Sequence, residues 1–547
     1  MKRSIALLAL CTTLVAPLCA AQATRADAEK DPVLAAMLTE LDRSMSHLQL
    51  TGFQKPYFIQ YRIEDVDNFQ ADASFGATTG IDRAHQRIAR ITVRVGDYKT
   101  DSSGGRGDSA LELTSLDADP IALRSALWAG TDRAYKAALD SYAQKQAALK
   151  QVQTPPQADD FSHEKPVISL APPATLQLDE QSWIARVAKS SGLYRTDPSL
   201  RAGEPDVQTC AGTFSARVTT TWLVNSEGTI VRKTASEYQQ AFATSTQAAD
   251  GMKIERSFAS SGPTLASLDS EDKFNKHAVE EIASLTTLRN APVVEEEYHG
   301  PVLLSADAAT DTLASVIGSG VTASRPPLGT EARTTGPFAS SLHTRVLPED
   351  FTAVDDPGLT TYNGQALIGA YSIDDEGVPA QPVQLITEGK LVNYLIGRDP
   401  IRDFPQSNGH GRAGITGPPH SSAGVLKFTA SDGKTDADLN QQLLALAKDR
   451  GQSVYYVETL GGPLVPRLLY KVSPDGKREL VRGAVLDDLD QRALRSSILA
   501  AGKDLWVANY FGDIPQSVIG PALLLDDVTI KRANEKNDKL PFYPPPN

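Results

Sequence analysis

From Pro292 to its end the chain is written in strands, glycines and prolines, with only two helical stretches, near 306–317 and in "DADLNQQLLALAKDRG" at 436–451. A second half of this kind can bury its apolar residues only by pairing strands into sheet and packing that sheet. The first half is mixed. "DPVLAAMLTELDRSMSHLQL" (31–50) spaces Leu34, Met37, Leu38, Leu41, Met45 and Leu48 as a helix does. "YFIQYRIED", "FQADASFGATTG" and "RIARITVRVGDYKT" alternate apolar and polar residues, as half-buried antiparallel strands do. "RSALWAGTDRAYKAALDSYAQKQAALKQVQ" (124–153) reads as one or two long helices. A helix near 180–190 and strands to about 259 follow. "SEDKFNKHAVEEIASLTTLRN" (270–290) closes this half as a helix striped by Phe274, Ala278, Ile282 and Leu285. At 547 residues two or three domains are expected. The pattern predicts an α+β chain with a mixed α/β domain over 22–292, a β-rich domain over 293–535 and a tail over 536–547. The break falls at 290–298, where "EEEYH" (295–299) reads as a charged joint. The Pro-rich 154–180 reads as a surface connection.

"MKRSIALLALCTTLVAPLCAAQA" carries a basic start at Lys2 and Arg3, an apolar run to about Leu18, and small residues at Cys19, Ala20 and Ala21. This is the pattern of a secretory signal peptide cut near Ala21, and the run is too short for a membrane span. A periplasmic or secreted protein is expected. Cys11 and Cys19 leave with the leader, so Cys210 stands alone, without an intramolecular disulfide, and reads as a small buried side chain on a strand. A net charge of −13 gives no general attraction for nucleic acid or anionic membrane.

There is no Walker loop, no GxGxxG after a strand, no GxSxG elbow, no HExxH and no CxxC. "RGDS" (106–109) lies in a Gly/Ser-rich loop and reads as chance. His277 and Glu281 are one helical turn apart but read as a solvated face. Asp374, Asp375 and Glu376 run into Gly377 between "ALIGAYSI" (366–373) and "PVQLITEG" (382–389), both read as strands. On local chemistry the three acids are turn residues, at least partly exposed, and "EGKLVNYLIGR" makes a second hairpin.

Taken in order, "VDDPGLT" (354–360), "SIDDEGVPAQPVQLITEGKLVNYLIGRDP" (372–400) and "SNGHGRAG" (407–414) resemble the TldD/PmbA family, also called TldD/TldE or "modulator of DNA gyrase". "NSEGTIV" (225–231) and "RITVRVG" (90–96) fit its N-terminal domain. The resemblance implies an α/β N-terminal domain and a β-rich, barrel-like C-terminal domain. Members of the TldD type resemble zinc-dependent peptidases with H-E-x-x-x-H on a C-terminal-domain helix, and members of the PmbA or TldE type lack those ligands and pair with an active partner. "GPVLLSADAATDTLASVIGSG" (300–320) occupies the place of the metal helix. Laid on the motif, Ala306 falls at the first His, Asp307 at the Glu and Asp311 at the second His, and no Cys follows position 210. The leading expectation is an exported, zinc-less PmbA/TldE-like subunit with no cofactor of its own. It would bind peptide or complete the cleft of a TldD-like metallopeptidase partner, or act as a homodimer. Asp375, Glu376, Gly377, Gly409, His410, Arg412 and His420 are the candidates for lining its cleft. Two other readings stay open. One is a divergent metallopeptidase whose zinc has moved to His410, His420 and an acid. The other is a free-standing periplasmic binding or structural protein.

Overall fold

A computed structural model describes residues 23–104, 109–117, 119–152, 158–200, 207–462 and 464–533. The expected leader, most of the "RGDS" stretch and the 536–547 tail lie outside the described residues. Among the described residues no helix is long and apolar enough to cross a membrane.

The first sheet is assembled from the alternating runs. Its order is Ser109–Thr114, Ala77–Val95, Pro56–Ser74, Thr209–Asn225, Ile230–Gln247, with Lys253–Gly262 antiparallel and Ile168–Leu170 parallel to the last. One face carries Ile59, Tyr61, Ile63, Ala89, Ile91 and Val93. The helices Pro32–His47 and Pro120–Leu149 cover it with Leu34, Met37, Leu41, Leu123, Leu127 and Tyr135. Both helices begin with Asp-Pro. Asp31 accepts from the Val33 and Leu34 amides, and Asp119 from those of Ile121 and Ala122. Proline in the first turn has no N–H to leave unsatisfied. Cys210 is buried on its strand, and burial pushes its thiol up to about 12.

The second sheet runs Lys390–Leu391, Val383–Thr387, Phe351–Asp355, Val425–Ala430, Gln516–Arg532, Tyr298–Leu304, Val454–Leu460, Pro466–Val472, Arg478–Val481. Ala484–Asp487 and Ile498–Tyr510 also pair with Gln516–Arg532. Most pairs are antiparallel, and two are parallel. The two ends of this order do not pair, so the sheet does not close into a barrel among the described residues. The run "PALLL" (521–525) is continuously apolar because both faces of the strand are covered. Leu523 and Leu525 pack with Leu313 of the helix Ala306–Val316, while Ala522 and Leu524 pack with Leu439 and Leu443 of the helix Asp436–Arg450.

Several local expectations are overturned by tertiary contacts. "ALIGAYSI" is not a continuous strand: Ala366 pairs within Gln365–Ala366 and Ile373 makes a single bridge to Pro379, because Gly369 lies against the Gly424 carbonyl and the backbone turns there. The 154–180 connection is not purely superficial. It buries Asp160, Phe161 and Ser162 and supplies the strand Ile168–Leu170. Glu281 is not on a solvated face. It is buried against Arg256, with Nη2 to Oε1 at 2.7 Å.

Candidate functional site

Ser305 caps the helix Ala306–Val316 through the Ala308 amide, and its hydroxyl donates to the Glu458 carbonyl at 2.6 Å. Those bonds seat the helix on the second sheet, against Gln516–Arg532, Ile498–Tyr510 and Val454–Leu460. Asp307 and Asp311 stand one turn apart on it. Burial, then the charges of Asp311 and Glu458, push Asp307 up to about 6 against the pull of Arg256. Burial also raises Asp311, opposed by Tyr510, whose hydroxyl donates to Asp311 Oδ1 at 2.5 Å. The donor set is poor for zinc. Ala306 offers a methyl, Asp311 is engaged by a phenol, and neither imidazole nor thiolate is present on the helix. Among the described residues no three His, Cys, Asp or Glu side chains gather closely enough to hold a metal ion.

Asp374, Asp375 and Glu376 do sit at a tight turn with Gly377 at φ +83°, but the expectation of exposure is wrong: they are 1%, 6% and 9% exposed. The turn's tip is driven against the first sheet, where a Cβ on Gly377 would meet Thr229 Cγ2 at 2.8 Å. Local chemistry reads the turn and not the surface it docks on. Asp374 caps its own turn, accepting from the Glu376 and Val378 amides and from Gly411 N at 2.9 Å. Asp375 Oδ1 takes Lys233 Nζ at 2.6 Å, and Oδ2 takes Ala413 N at 2.8 Å. Glu376 Oε2 takes the Arg398 amide at 2.5 Å. Burial would raise Asp375, yet the cations Lys233, Arg412 and Arg62 hold its carboxyl well below the usual range. Burial raises both Asp374 and Glu376, outweighing the pull of Lys233 on the first and of Arg398 on the second.

The Gly-rich loop separates the two histidines. His410 is fully buried, with Nε2 3.1 Å from Asp355 Oδ1 and Nδ1 3.0 Å from Asn408 Oδ1. Asn408 Oδ1 already accepts from the Ile396 amide, so it is oxygen that faces the ring. Both ring nitrogens therefore face oxygens of the protein, Asp355 on one side and Asn408 on the other. His420 is exposed on the strand His420–Ser421, paired with Gly411–Arg412. Arg412 lies over the Tyr371 ring at 3.9 Å. Gly409 holds φ +77° against the Pro379 carbonyl, and Gly411 leaves room for Glu376.

The residues missed from sequence are on the first sheet. Arg62, Arg90, Arg94, Arg217 and Lys233 all lie on its polar face and all reach the second sheet's loops. Arg62 Nη2 donates to the carbonyls of Gly414 and Gly417 at 3.1 Å each. Arg90 holds the Thr416 carbonyl, Arg94 pairs with Asp399 at 3.1 Å, and Arg217 donates to the Gly512 carbonyl at 2.5 Å. From the other side Arg398 makes a two-pronged pair with Glu227 at 2.7 and 2.8 Å. The available signal was a strand face written in arginine, at 62, 90 and 94, rather than in small neutral residues.

Residues 296–532 match the family model described as the PmbA/TldA metallopeptidase C-terminal domain. Solved structures are similar over nearly the whole chain. A candidate modulator of DNA gyrase from Thermotoga maritima has 15% identity and a TM-score of 0.59, covering 90% of this chain and 100% of that one. TldE from Thermococcus kodakarensis has 15% identity and a TM-score of 0.59, covering 90% and 99%. A candidate modulator of DNA gyrase from Bacteroides thetaiotaomicron has 12% identity and a TM-score of 0.56, covering 92% and 99%. At these identities the likeness is one of fold. No curated protein sequence matches the chain.

Proposed function

Because residues 296–532 match the PmbA/TldA metallopeptidase C-terminal domain and the fold is that of TldE, we propose that the chain is an exported, zinc-less subunit of the TldE type in the TldD/PmbA family. It binds a peptide-like chain or completes the cleft of a TldD-like metallopeptidase partner. Its two domains are then 22–292 and 293–535, behind a leader removed near Ala21. The observation that carries this reading is the donor set on the helix Ala306–Val316: a methyl and two carboxylates, one of them bonded to Tyr510. A peptidase zinc needs about three protein ligands and an open position for water. Asp307, whose carboxyl is pushed up to about 6, is a group that can exchange a proton near neutrality. It is also one methylene shorter than the glutamate whose place it takes.

The test is metal analysis and peptidase assay of the purified protein, alone and with any co-purifying partner. The expected result is substoichiometric zinc, no chelator-sensitive cleavage by the protein alone, and unchanged partner-dependent activity when Asp307 and Asp311 are both replaced by Ala. Cleavage by the protein alone that a chelator stops, and that the double variant loses, overturns the reading in favour of a divergent metallopeptidase. Absence of any partner together with retained peptide binding favours a free-standing binding protein.

A further inference from the structure

Arg62, on the polar face of the first sheet, is buried with two of its three guanidinium nitrogens unused. Three cations of that face, Arg62, Arg90 and Lys233, lie beneath the loop "GRAGITGPP" (411–419), whose own Arg412 meets Lys233 at Asp375. Opposite them stand Asp375, which Lys233, Arg412 and Arg62 keep ionised, and Glu64, which burial pushes up to about 7. Arg62 and Glu64 face one another across 3.9 Å, too long for a hydrogen bond, with side chains only 2% and 8% exposed. Arg62 Nε and Nη1 and Glu64 Oε2 have no hydrogen-bond partner, and neither does Arg412 Nη1 on the loop side. The remaining nitrogen of Arg62 grips main chain, the carbonyls of Gly414 and Gly417. The loop is therefore held by its backbone, in a manner any extended peptide could reproduce. Buried guanidinium N–H groups are strong donors to carboxylates, and leaving them unused is unfavourable.

We infer that this face is a subsite for the free C-terminal carboxylate of an extended peptide, which enters by displacing residues 414–417, the part of the loop that Arg62 holds, and takes the unused nitrogens of Arg62 and of Arg412, which stays anchored on Asp375 and Tyr371. The inference rests on the peptide-binding part of the proposed function and adds which end of the peptide is held, and by what. Glu64 sits beside the incoming charge, and Arg62, Asp375, Lys233 and Arg90 are the charged groups that face it. A second carboxylate there favours its neutral form, so binding takes up a proton above neutral pH and weakens as the pH rises.

The experiment is calorimetric titration of the full chain with N-acetyl-trialanine, as the free acid and as the C-terminal amide, at pH 7.5 in two buffers of different ionisation heat. The acid is expected to bind at least tenfold more tightly than the amide, with buffer-dependent heat that reveals proton uptake. Glu64→Gln keeps the binding and abolishes the uptake, whereas Arg62→Met loses tenfold or more in affinity for the acid alone. Equal binding of acid and amide overturns the carboxylate subsite while leaving peptide binding intact. Binding of neither peptide overturns the subsite, and the partner assay above still tests the subunit reading. If Arg62→Met fails to fold, proton uptake that persists in Glu64→Gln overturns the placement by itself.

Discussion

Glu64 shows how one side chain can tie the stability of the whole seam to pH. Its carboxyl is buried, and its folded pKa, about 7, lies above the ordinary 4.5. Glu376 and Asp374 are raised by the same cause. Each keeps a proton that the unfolded chain releases, so their contribution is fully present below the ordinary carboxylate range and is lost as pH climbs through the folded values. Asp375, Asp101 and Asp31 are lowered and act in the opposite sense, losing their contribution as pH falls below about 4. Stability is therefore expected to peak on the acid side of neutrality and to decline from about pH 5 to pH 8. Urea denaturation midpoints across pH 4–9 measure this, and Glu64→Gln should flatten the decline. A midpoint that rises steadily to pH 8 contradicts the assignment of Glu64 as a buried, neutral acid.

At the scale of elements, the two Asp-Pro helix starts make an internal comparison. Asp119 is a cap and nothing more: it accepts two amides at an exposed helix end. Asp31 is the same cap, but its second oxygen also accepts from Trp222 Nε1 at 2.8 Å and pairs with Arg232, both on first-sheet strands. Asp119→Ala should cost about 1 kcal/mol, the ordinary loss of an N-cap. Asp31→Ala should cost about 3–5 kcal/mol, because a half-buried arginine loses its partner as well. Chemical denaturation of the two variants checks the difference, and equal losses would mean that Asp31 does not tie its helix to the sheet. The helix starts were legible in the sequence because Asp, Pro and the apolar stripe all lie within one turn. The burial of Glu281 was not, because its partner Arg256 is 25 residues away on a strand.

At the scale of the whole molecule, two large sheets share a charged seam. Arg62, Arg90, Arg94, Arg217 and Lys233 on one side meet backbone carbonyls and acids on the other. Such a seam couples the halves, since breaking it strands buried charge. Unfolding of the intact chain is expected in one transition. Asp375→Asn removes the charge that Lys233 and Arg412 hold, and should cost about 3–5 kcal/mol at the seam and split the transition in two. Tryptophan fluorescence can read this by halves, because Trp128, Trp183 and Trp222 lie before the break and Trp506 after it. With Trp506→Phe the signal reports the first half alone. One unsplit transition in the Asp375→Asn variant would mean that the halves are joined by apolar packing instead.

Sequence alone carried whatever depends on neighbours within a turn or along a strand. The period of Leu34 to Leu48 made a helix, the alternation of 57–95 made strands, Gly377 made a turn, and Ser305 opened the helix that bears Asp307 and Asp311. The ordered pieces of 354–414 also pointed to the family before any fold was known. Tertiary structure alone decided which polar faces meet water. A strand face of arginines and glutamates reads as solvated because alternation records only that one face is apolar, not what lies against the other. Here the other face is covered by loops far away in the chain, the Lys233 to Asp375 contact spanning 142 residues and the Arg62 to Gly414 contact 352. That cover turned Asp374, Asp375 and Glu376 from turn residues at the surface into buried acids. The physical reason is range: hydrogen bonds of caps and turns are set by adjacent residues, whereas desolvation is set by whichever distant segment arrives to exclude the water.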